Sequence, residues 1–545
     1  MDYSHNLAGG NMSMTAEDAV KFGAALLRPG FLPERQHRML FDQPAFGGEP
    51  SAMSFGFFAP EAKAERRLTI SGSNPGFQAG LMIYPERELV VAVLSNTWGV
   101  GSRSAEMTSD LPKRLADLCA PKPTPENAAG APAAGSETVQ GPAYRFVNGR
   151  WFDGTGFRQR TMYTVGGWFS TARPTAPVQT IDLDGQYVVP PFGEAHNHNI
   201  EQSPRVDAAI AKYLHDGVFY VKNPNNLARF RAALAGRIDV PGSIDVSFSN
   251  GGLIGAGGHP VDLATRNIER GTWTVADAEG GFYFAIDSVA DLDRKWPSIL
   301  AGQPHFIKTY LLHSEEYKKR RDDPGYGSWK GLNPNLLPAI VRRAHAADLR
   351  VSTHVESAAD FRNAVASGVD EINHLPGFRP DRNQWKVYRD PAVYRLTDAD
   401  AKLAAAKGVA VVTTISGVLE HLREAKPGSE EAAVASEAKK LLADNIGTLR
   451  RHGVVVTIGS DEYSETSAIE ARSLAQLGTI GNLTLLKMWS ETTPRSIFPR
   501  RKIGKLAAGY EASFLVLPVD PLRDFSATAK ISMRLKQGKL LPAAP

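Results

Sequence analysis

Cysteine is almost missing from this sequence: Cys119 is the single one among 545 residues. One thiol excludes an intramolecular disulfide bond and a thiolate metal cluster within one chain. Any metal ion would therefore have to be bound by His, Asp, Glu or a modified Lys.

Long hydrophobic runs and charged blocks are missing as well. The longest apolar stretches, residues 88–94 and 408–415, are too short to span a bilayer. The formal net charge is only +4, with 62 basic and 58 acidic side chains interspersed, so no nucleic-acid partner is predicted. No signal peptide is visible at the N-terminus. We therefore expect a cytoplasmic location, or a periplasmic or secreted one if the natural chain is longer, while the oligomeric state stays open.

The length of the chain predicts two to four domains. Residues 121–142 are rich in Pro, Ala, Gly and Ser without periodicity, which is typical of a linker, and they separate residues 1–120 from the rest. Two β-rich segments, 143–189 and 507–545, flank a large body at 190–506. Their pattern predicts that the two segments pair into one small β-sandwich domain.

Between these segments, strand-like runs alternate with helical patterns such as 335–348 and 437–453. Eight strands of this kind predict an α/β fold, a (β/α)₈ barrel of the TIM type, with a doubly wound open sheet as the alternative. The predicted strands are 187–192, 218–223, 245–250, 305–312, 350–356, 371–376, 409–416 and 454–461.

In a barrel, reactive side chains lie at the carboxyl ends of the strands. Alternation along an extended chain would place His196 and His198 on one side, facing one cation. Imidazole and carboxylate ligands suit Zn²⁺ or a similar ion. Each such residue alone has an ordinary structural explanation, and their joint placement makes the case for a metal site. The candidates near strand ends are His196, His198, Lys308, His354, His374 and Asp461.

These segments resemble the amidohydrolase superfamily of metal-dependent hydrolases over about residues 143–545. "PPFGEAHNH" looks like its metal motif after strand 1, "FIKTY" like the segment with a carboxylated lysine, and "VVVTIGSDEYS" like the motif with an aspartate. The resemblance implies two divalent metals, most simply Zn with Mn, Fe or Co as alternatives. It also implies that carboxylated Lys308 bridges them and that Asp461 is both a ligand and the general base.

The branch most resembled is the imidazolonepropionase-like group, which includes Xaa-Pro dipeptidase-like enzymes. "GAGGHP" looks like an element of that branch, so His259 is a candidate substrate contact, as is Tyr310. A Gly-rich surface loop is the alternative explanation for His259. One departure is Glu194, where the family has Asp two residues before its first histidine, and it predicts an altered surrounding of the ligands.

Residues 1–120 show a pattern different from that of the rest of the chain. A helix is predicted after an N-cap at Thr15 with Asp18 three residues on. The segment resembles the second half of serine β-lactamase-like domains, which are α+β, with 70–97 as their closing strands. That family needs a nucleophilic Ser in S-x-x-K, and residues 1–120 contain none. Ile70 replaces the expected basic residue, and the downstream match from Ser436 to Lys439 is attributed to coincidence.

The leading hypothesis is a metal-dependent hydrolase of an amide, peptide or cyclic-amide C–N bond in a small molecule. A metal-bound hydroxide would attack the carbonyl, and Asp461 would move the proton. The alternatives are a non-catalytic binding or scaffold protein that retains the barrel, and a serine β-lactamase or esterase. The sequence does not identify the substrate, because specificity resides in the loops.

Overall fold

The structure, a computed structural model, divides the chain into two compact units, residues 1–137 and 138–545. In the first unit it describes 15–27, 31–32, 34–41, 45–46, 49–50, 53–54, 57–58, 67–74, 77–87, 89–95 and 111–119. In the second it describes 143–174, 177–200, 205–379 and 390–542. The predicted linker, 121–142, lies outside the described residues.

The first unit contains helices and antiparallel strands. Its helices are α1 (Ala16–Leu27), α2 (Glu34–Phe41) and α3 (Leu111–Cys119). Its strands are β1 (Ala45–Phe46), β2 (Glu49–Pro50), β3 (Met53–Ser54), β4 (Phe57–Phe58), β5 (Leu68–Asn74), β6 (Phe77–Tyr84) and β7 (Leu89–Ser95). The predicted N-cap is confirmed, because the Asp18 amide donates to Thr15 Oγ1 at 3.1 Å and the Thr15 amide donates back to the Asp18 carboxylate.

Both ends of the second unit contribute to one eight-stranded sheet. Its strands are β8 (Ala143–Phe152), β9 (Phe157–Val165), β10 (Trp168–Ser170), β11 (Val178–Asp182), β12 (Tyr187–Val189), β23 (Phe514–Leu517), β24 (Met533–Lys536) and β25 (Lys539–Leu540). The two segments meet where β12 pairs antiparallel with β23. Trp151 and Phe514 pack edge to face with ring centroids 5.3 Å apart, and both are fully buried.

Parallel strands form the body of the second unit in two sheets. The first has the order β13 (Phe192–Glu194), β14 (Val218–Asn223), β15 (Asp245–Phe248). The second contains β16 (Gly252–Ile254), β17 (Tyr283–Ala285), β18 (Phe306–Tyr310), β19 (Arg350–His354), β20 (Glu371–Asn373), β21 (Ala410–Val412) and β22 (Val456–Thr457). Its strand order is β17-β16-β18-β19-β20-β21-β22.

Two strand predictions need correction beyond their exact bounds. Residues 187–192 are not one strand, because Tyr187–Val189 pairs in the eight-stranded sheet and a new strand begins at Phe192. The third predicted strand, 245–250, ends at Phe248, and a second short strand follows at Gly252. Between them Asn250 has a φ of 57°, which breaks the extended conformation. The side chain of Asn226 accepts from the Asn250 amide at 3.0 Å and stabilises this turn.

Helices connect the parallel strands and cover them. They are α4 (Val206–His215), α5 (Ala228–Ala232), α6 (Val261–Glu269), α7 (Val289–Ala301), α8 (Tyr317–Asp322), α9 (Leu337–Ala346), α10 (Ala358–Ser367), α11 (Asp398–Ala406), α12 (Ser416–Glu424), α13 (Glu430–Arg451), α14 (Ser467–Leu477), α15 (Asn482–Lys487) and α16 (Thr493–Ile497). None of the helices within the described residues is both long enough and apolar enough to cross a bilayer.

A buried ion cluster joins the parallel strands to the eight-stranded sheet. Asp245 at the start of β15 lies 2.6 Å from Lys536 Nζ and 2.8 Å from the Arg501 guanidinium. Lys536 is fully buried, so its charge depends on this carboxylate.

Replacing Asp245 with Ala is expected to lower the free energy of unfolding by about 3–5 kcal/mol, because Lys536 would remain as a buried cation with its carboxylate removed. Urea-induced unfolding measures the effect. The matched control is Asp348→Ala, which removes an exposed carboxylate 2.5 Å from Arg500 and should cost far less, because solvent screens this ion pair. Equal losses for the two variants would contradict the assignment of Asp245 as a structural link.

Candidate metal centre

The candidate residues lie at or just beyond the carboxyl ends of the parallel strands. Lys308 lies within β18, His354 ends β19, and His374 follows β20 directly. His196 and His198 lie in the loop just beyond β13, and Asp461 lies four residues beyond β22 because the last strand is shorter than predicted. Because parallel strands end at the same edge, these side chains are brought together.

Two histidines converge on one carboxylate. His196 Nε2 lies 3.5 Å and His198 Nε2 lies 3.3 Å from Asp461 Oδ1. The ligand atoms of the three residues all lie within 4.8 Å of one another. A backbone hydrogen bond of 2.9 Å from the Asp461 amide to the His196 carbonyl holds the two loops in this arrangement.

The other two histidines adjoin this group. The His374 ring lies 4.6 Å from both the His196 and the His354 ring, and its Nδ1 lies 3.9 Å from Asp461 Oδ2. Four imidazoles and one carboxylate therefore form a continuous cluster. The exposed fraction of His198 is 17%, so the cluster is reached by solvent on that side, while His196, His354 and His374 are buried.

Burial determines the charge of these groups. It lowers the pKa of His196 to about 3 and holds the pKa of His354 and His374 well below the ordinary value. Burial alone would raise the pKa of Asp461, but the neighbouring His196 keeps it well below its usual range. At neutral pH His196, His354 and His374 are therefore neutral and Asp461 is ionised, the protonation states that metal ligands require.

Hydrogen bonds fix the orientation of two of the rings. His354 Nε2 lies 2.9 Å from Glu356 Oε1, and His374 Nδ1 lies 2.9 Å from Thr414 Oγ1. In each ring the other nitrogen is left for a ligand, because one nitrogen of the imidazole is engaged. No sequence pattern singled out Glu356 or Thr414, although the spacing of two residues between His354 and Glu356 was a usable signal.

Lys308 belongs to a buried polar network inside the strands. Its Nζ donates to Asn373 Oδ1, and Asn373 Nδ2 donates to Glu371 Oε1 at 2.9 Å. Glu371 also accepts from Lys222 Nζ at 2.5 Å. Because Glu371 accepts from the Asn373 amide nitrogen, the Asn373 amide oxygen faces Lys308. Burial lowers the pKa of Lys308 to about 7.

Glu194, the departure from the family pattern, connects the first strand to the last. Its carboxylate accepts from the Ser460 amide at 2.8 Å and from Ser460 Oγ at 2.9 Å. It also accepts from the His196 amide at 3.4 Å. Burial raises the pKa of Glu194 to about 8. The group therefore positions the two loops that present His196 and Asp461.

The backbone is strained where the site is formed. His374, Thr414 and Asp461 have φ values of 74°, 64° and 55°. Residues with a side chain rarely adopt this left-handed region, and such positions cluster at functional sites. The hydrogen bond between His374 and Thr414 joins two of these positions across neighbouring strands.

The two candidate substrate contacts lie beside His354. The His259 ring lies 5.6 Å from the His354 ring and 5.5 Å from the Tyr310 ring. Trp329 stacks on His259 at 6.3 Å, and the Arg379 guanidinium lies 4.9 Å from the Trp329 ring. Arg379, also missed in the sequence, is bound to Glu356 at 2.6 Å.

The serine hydrolase motifs find no support in the geometry. Ile70, at the position where the motif needs a basic residue, lies in β5 with 42% of its surface exposed. Ser436 is exposed and Lys439 is half-buried on α13, a long amphipathic helix. Neither arrangement provides the activated serine that acyl transfer requires.

The donor set fits a divalent cation. Two Nε2 atoms and a carboxylate oxygen converge, and neutral imidazoles with a carboxylate are the ligands that Zn²⁺ and similar ions prefer.

Comparison with known proteins adds independent information. Residues 1–111 match the β-lactamase family and residues 329–541 match the amidohydrolase family. No curated protein matches the chain.

Several solved structures share the fold. An A. niger ochratoxinase is 18% identical with a TM-score of 0.57, covering 73% of this chain and 95% of its own. A prolidase complexed with N-methylphosphonate-L-proline is 19% identical with a TM-score of 0.55, covering 73% and 99%. A Xaa-Pro dipeptidase with methionine in its active site is 16% identical with a TM-score of 0.55, again covering 73% and 99%.

The matched family, the shared fold and the placement of the candidate residues agree with one another. The chain carries an amidohydrolase-family domain over residues 329–541, of hydrolases that act on carbon–nitrogen bonds, and a β-lactamase-like segment over residues 1–111.

Proposed function

We propose that the chain is a metal-dependent hydrolase of an amide or peptide C–N bond, with a dipeptide-like molecule as its substrate. The observation that carries this proposal is the convergence of His196, His198 and Asp461, whose ligand atoms lie within 4.8 Å of one another among further buried histidines. A prolidase and a Xaa-Pro dipeptidase among the proteins of the same fold support the choice of substrate.

A divalent cation, most simply Zn²⁺ with Mn, Fe or Co as alternatives, would be held by His196, His198 and Asp461. His354, His374 and Lys308 would hold a second cation. When bound, such ions polarise a carbonyl and make water acidic enough to lose a proton near neutral pH.

Asp461 moves the proton in this proposal. Its carboxylate is kept ionised by the surrounding histidines, so it accepts a proton from the attacking water. The same group then delivers that proton to the nitrogen that leaves. His259 and Tyr310 lie beside His354 at 5.5–5.6 Å and form the wall that orients the substrate.

Lys308 would be carboxylated and would bridge the two ions. The amine is buried, and it donates to Asn373 Oδ1. A carbamate nitrogen keeps one hydrogen, so this bond to Asn373 is retained after CO₂ has added. Only the neutral amine reacts with CO₂, and burial lowers the pKa of Lys308 toward that form.

We infer that the two parallel sheets are parts of one closed (β/α)₈ barrel. The Ala195 amide donates to the Ile458 carbonyl at 2.9 Å, next to the first and last strands. At the other break, β15 and β16 act as the two halves of the third strand, since β15 pairs with β14 and β16 with β18. Eight strand positions result, which is the number the fold requires.

Metal content and hydrolysis test the function together. Purified full-length chain, dialysed against a chelator and then reconstituted with Zn²⁺, Mn²⁺ or Co²⁺, should bind up to two ions and hydrolyse members of a panel of dipeptides and N-acyl amino acids. The chelated protein should be inactive. Chain that binds metal but cleaves no member would favour a binding or scaffold protein. Chain that takes up no metal would contradict the proposal.

A further inference from the structure

A cavity of about 490 Å³ adjoins the metal centre and is not used by the proposed chemistry. His198 and Tyr463 line it at one end, and the His198 ring also faces Asp461. One wall is formed by Arg205, which precedes α4, and by Ala208, Ala209 and Lys212 on one face of that helix. Positions separated by three and four residues share one helix face, which explains why this set lines the cavity together.

The opposite wall is the corresponding face of α6 and its C-terminal end. Leu263, Arg266, Asn267 and Arg270 line it at the same spacing of three, one and three residues. Two helix faces therefore enclose one space, the first with Arg205 and Lys212 at its ends and the second with Arg266 and Arg270. The small side chains of Ala208 and Ala209 on the first wall leave room between them.

The charge in this cavity is positive and partly uncompensated. Its lining contains no Asp or Glu among the described residues. Lys212 lies 3.3 Å from Glu465, and Arg266 lies 2.9 Å from Asp262, so these two cations are paired. Arg205 and Arg270 line the cavity as well, and neither forms an ion pair with a carboxylate in the described part of the chain.

The floor of the cavity is aromatic. Trp273 and Phe282 line it with their rings 4.6 Å apart, and Trp273 is 4% exposed. The buried indole Nε1 of Trp273 has no hydrogen-bond acceptor within the described residues. A buried donor without an acceptor costs free energy that a bound acceptor would recover. Cationic donors, an indole N–H and apolar rings together suit a group that is both anionic and apolar.

We propose that this cavity, the α4–α6 cavity, binds the carboxylate and an aromatic or branched apolar side chain of the substrate. Arg205, Arg270 and the indole N–H of Trp273 bind the carboxylate, and the rings of Trp273 and Phe282 contact the side chain. The proposal rests on the proposed function and specifies its substrate as an amide that carries a free carboxylate. Arg379, beside the metal centre, is less suited because Glu356 already neutralises it at 2.6 Å.

Binding of two probes that cannot be hydrolysed tests the site without any need for turnover. These are 3-phenylpropionate and its neutral counterpart 3-phenylpropanol, titrated calorimetrically into the metal-loaded full-length chain. The carboxylate should bind about tenfold more tightly than the alcohol, as expected for one or two charge-assisted hydrogen bonds. Arg270→Gln and Arg205→Gln should each remove most of that preference while leaving the affinity for the alcohol unchanged.

Arg294→Gln is the matched control, because Arg294 is an exposed arginine on α7 that does not line the cavity. It should keep the full preference. Trp273→Phe, which retains the ring and removes the N–H, should weaken the carboxylate more than the alcohol. The proposal would be overturned if wild-type protein bound the two probes with equal affinity. It would also be overturned if carboxylate binding persisted in both arginine variants, a result that would place the carboxylate on the metal. Neither result bears on hydrolysis of the amide panel, so the two proposals fail separately.

Discussion

Asp461→Asn is expected to reduce turnover by about 10²–10⁴-fold, the contribution of a positioned proton-transfer group. An amide has nearly the same volume as a carboxylate but cannot accept the proton of the attacking water. The variant should fold, because Asn also tolerates the left-handed backbone that Asp461 adopts at a φ of 55°. Steady-state kinetics on the best member of the substrate panel measures the loss, and circular dichroism verifies the fold.

The neighbouring carboxyl group provides the control for Asp461→Asn. Glu462 is half-buried beside the site, and burial raises its pKa to about 7. Removing its charge with Glu462→Gln should change turnover far less. A comparable loss in both variants would show that negative charge in general, and not the proton transfer assigned to Asp461, supports the reaction.

The sequence predicted the candidate metal ligands by strand position, but strand position alone does not explain how His196 and His198 converge. His196 and His198 were expected to converge through strand alternation, but β13 ends at Glu194, before either of them. They converge because the loop is held by the Asp461 amide and because Glu194 binds Ser460, 266 residues away. Hydrogen bonds across such a separation leave no periodic pattern in a sequence.

The surroundings of the ligands illustrate the same limit. The departure at Glu194 was visible in the sequence, but its partner Ser460 was not. Thr414 orients His374 from a neighbouring strand, 40 residues along the chain. In contrast, the capping box of Thr15 and Asp18 could be predicted because both partners lie within one helical turn. Local chemistry is readable from the sequence, whereas contacts between strands depend on the register of the sheet.

The α4–α6 cavity could be predicted from the sequence only in part. The spacing of Arg205, Ala208 and Lys212 in the sequence indicates that they share one face of a helix. What the sequence could not show is that a second helix with the same spacing faces it, more than 50 residues later. The positive charge of the cavity also depends on which cations are paired, and that is decided by Asp262 and Glu465 in the folded chain.

Lys308→Met is expected to lower the metal content of the reconstituted chain from two ions to one and to reduce turnover about 10–100-fold or more. Methionine has a similar length but cannot add CO₂, so it could not form the carbamate proposed to hold the second ion. Reconstitution of the wild-type chain in CO₂-depleted buffer should give the same lower metal content, and bicarbonate should restore it. Elemental analysis of desalted protein measures both.

Lys222→Met is the matched comparison, because Lys222 is also a buried lysine in the same polar network. Its loss leaves Glu371 buried without its cation, which should lower the free energy of unfolding by about 3–5 kcal/mol. The folded fraction should still bind two ions, since Lys222 lies one step away from the ligands through Glu371 and Asn373. If Lys308→Met kept two ions while losing only stability, the two lysines would share a structural role, and carboxylation of Lys308 would have to be abandoned.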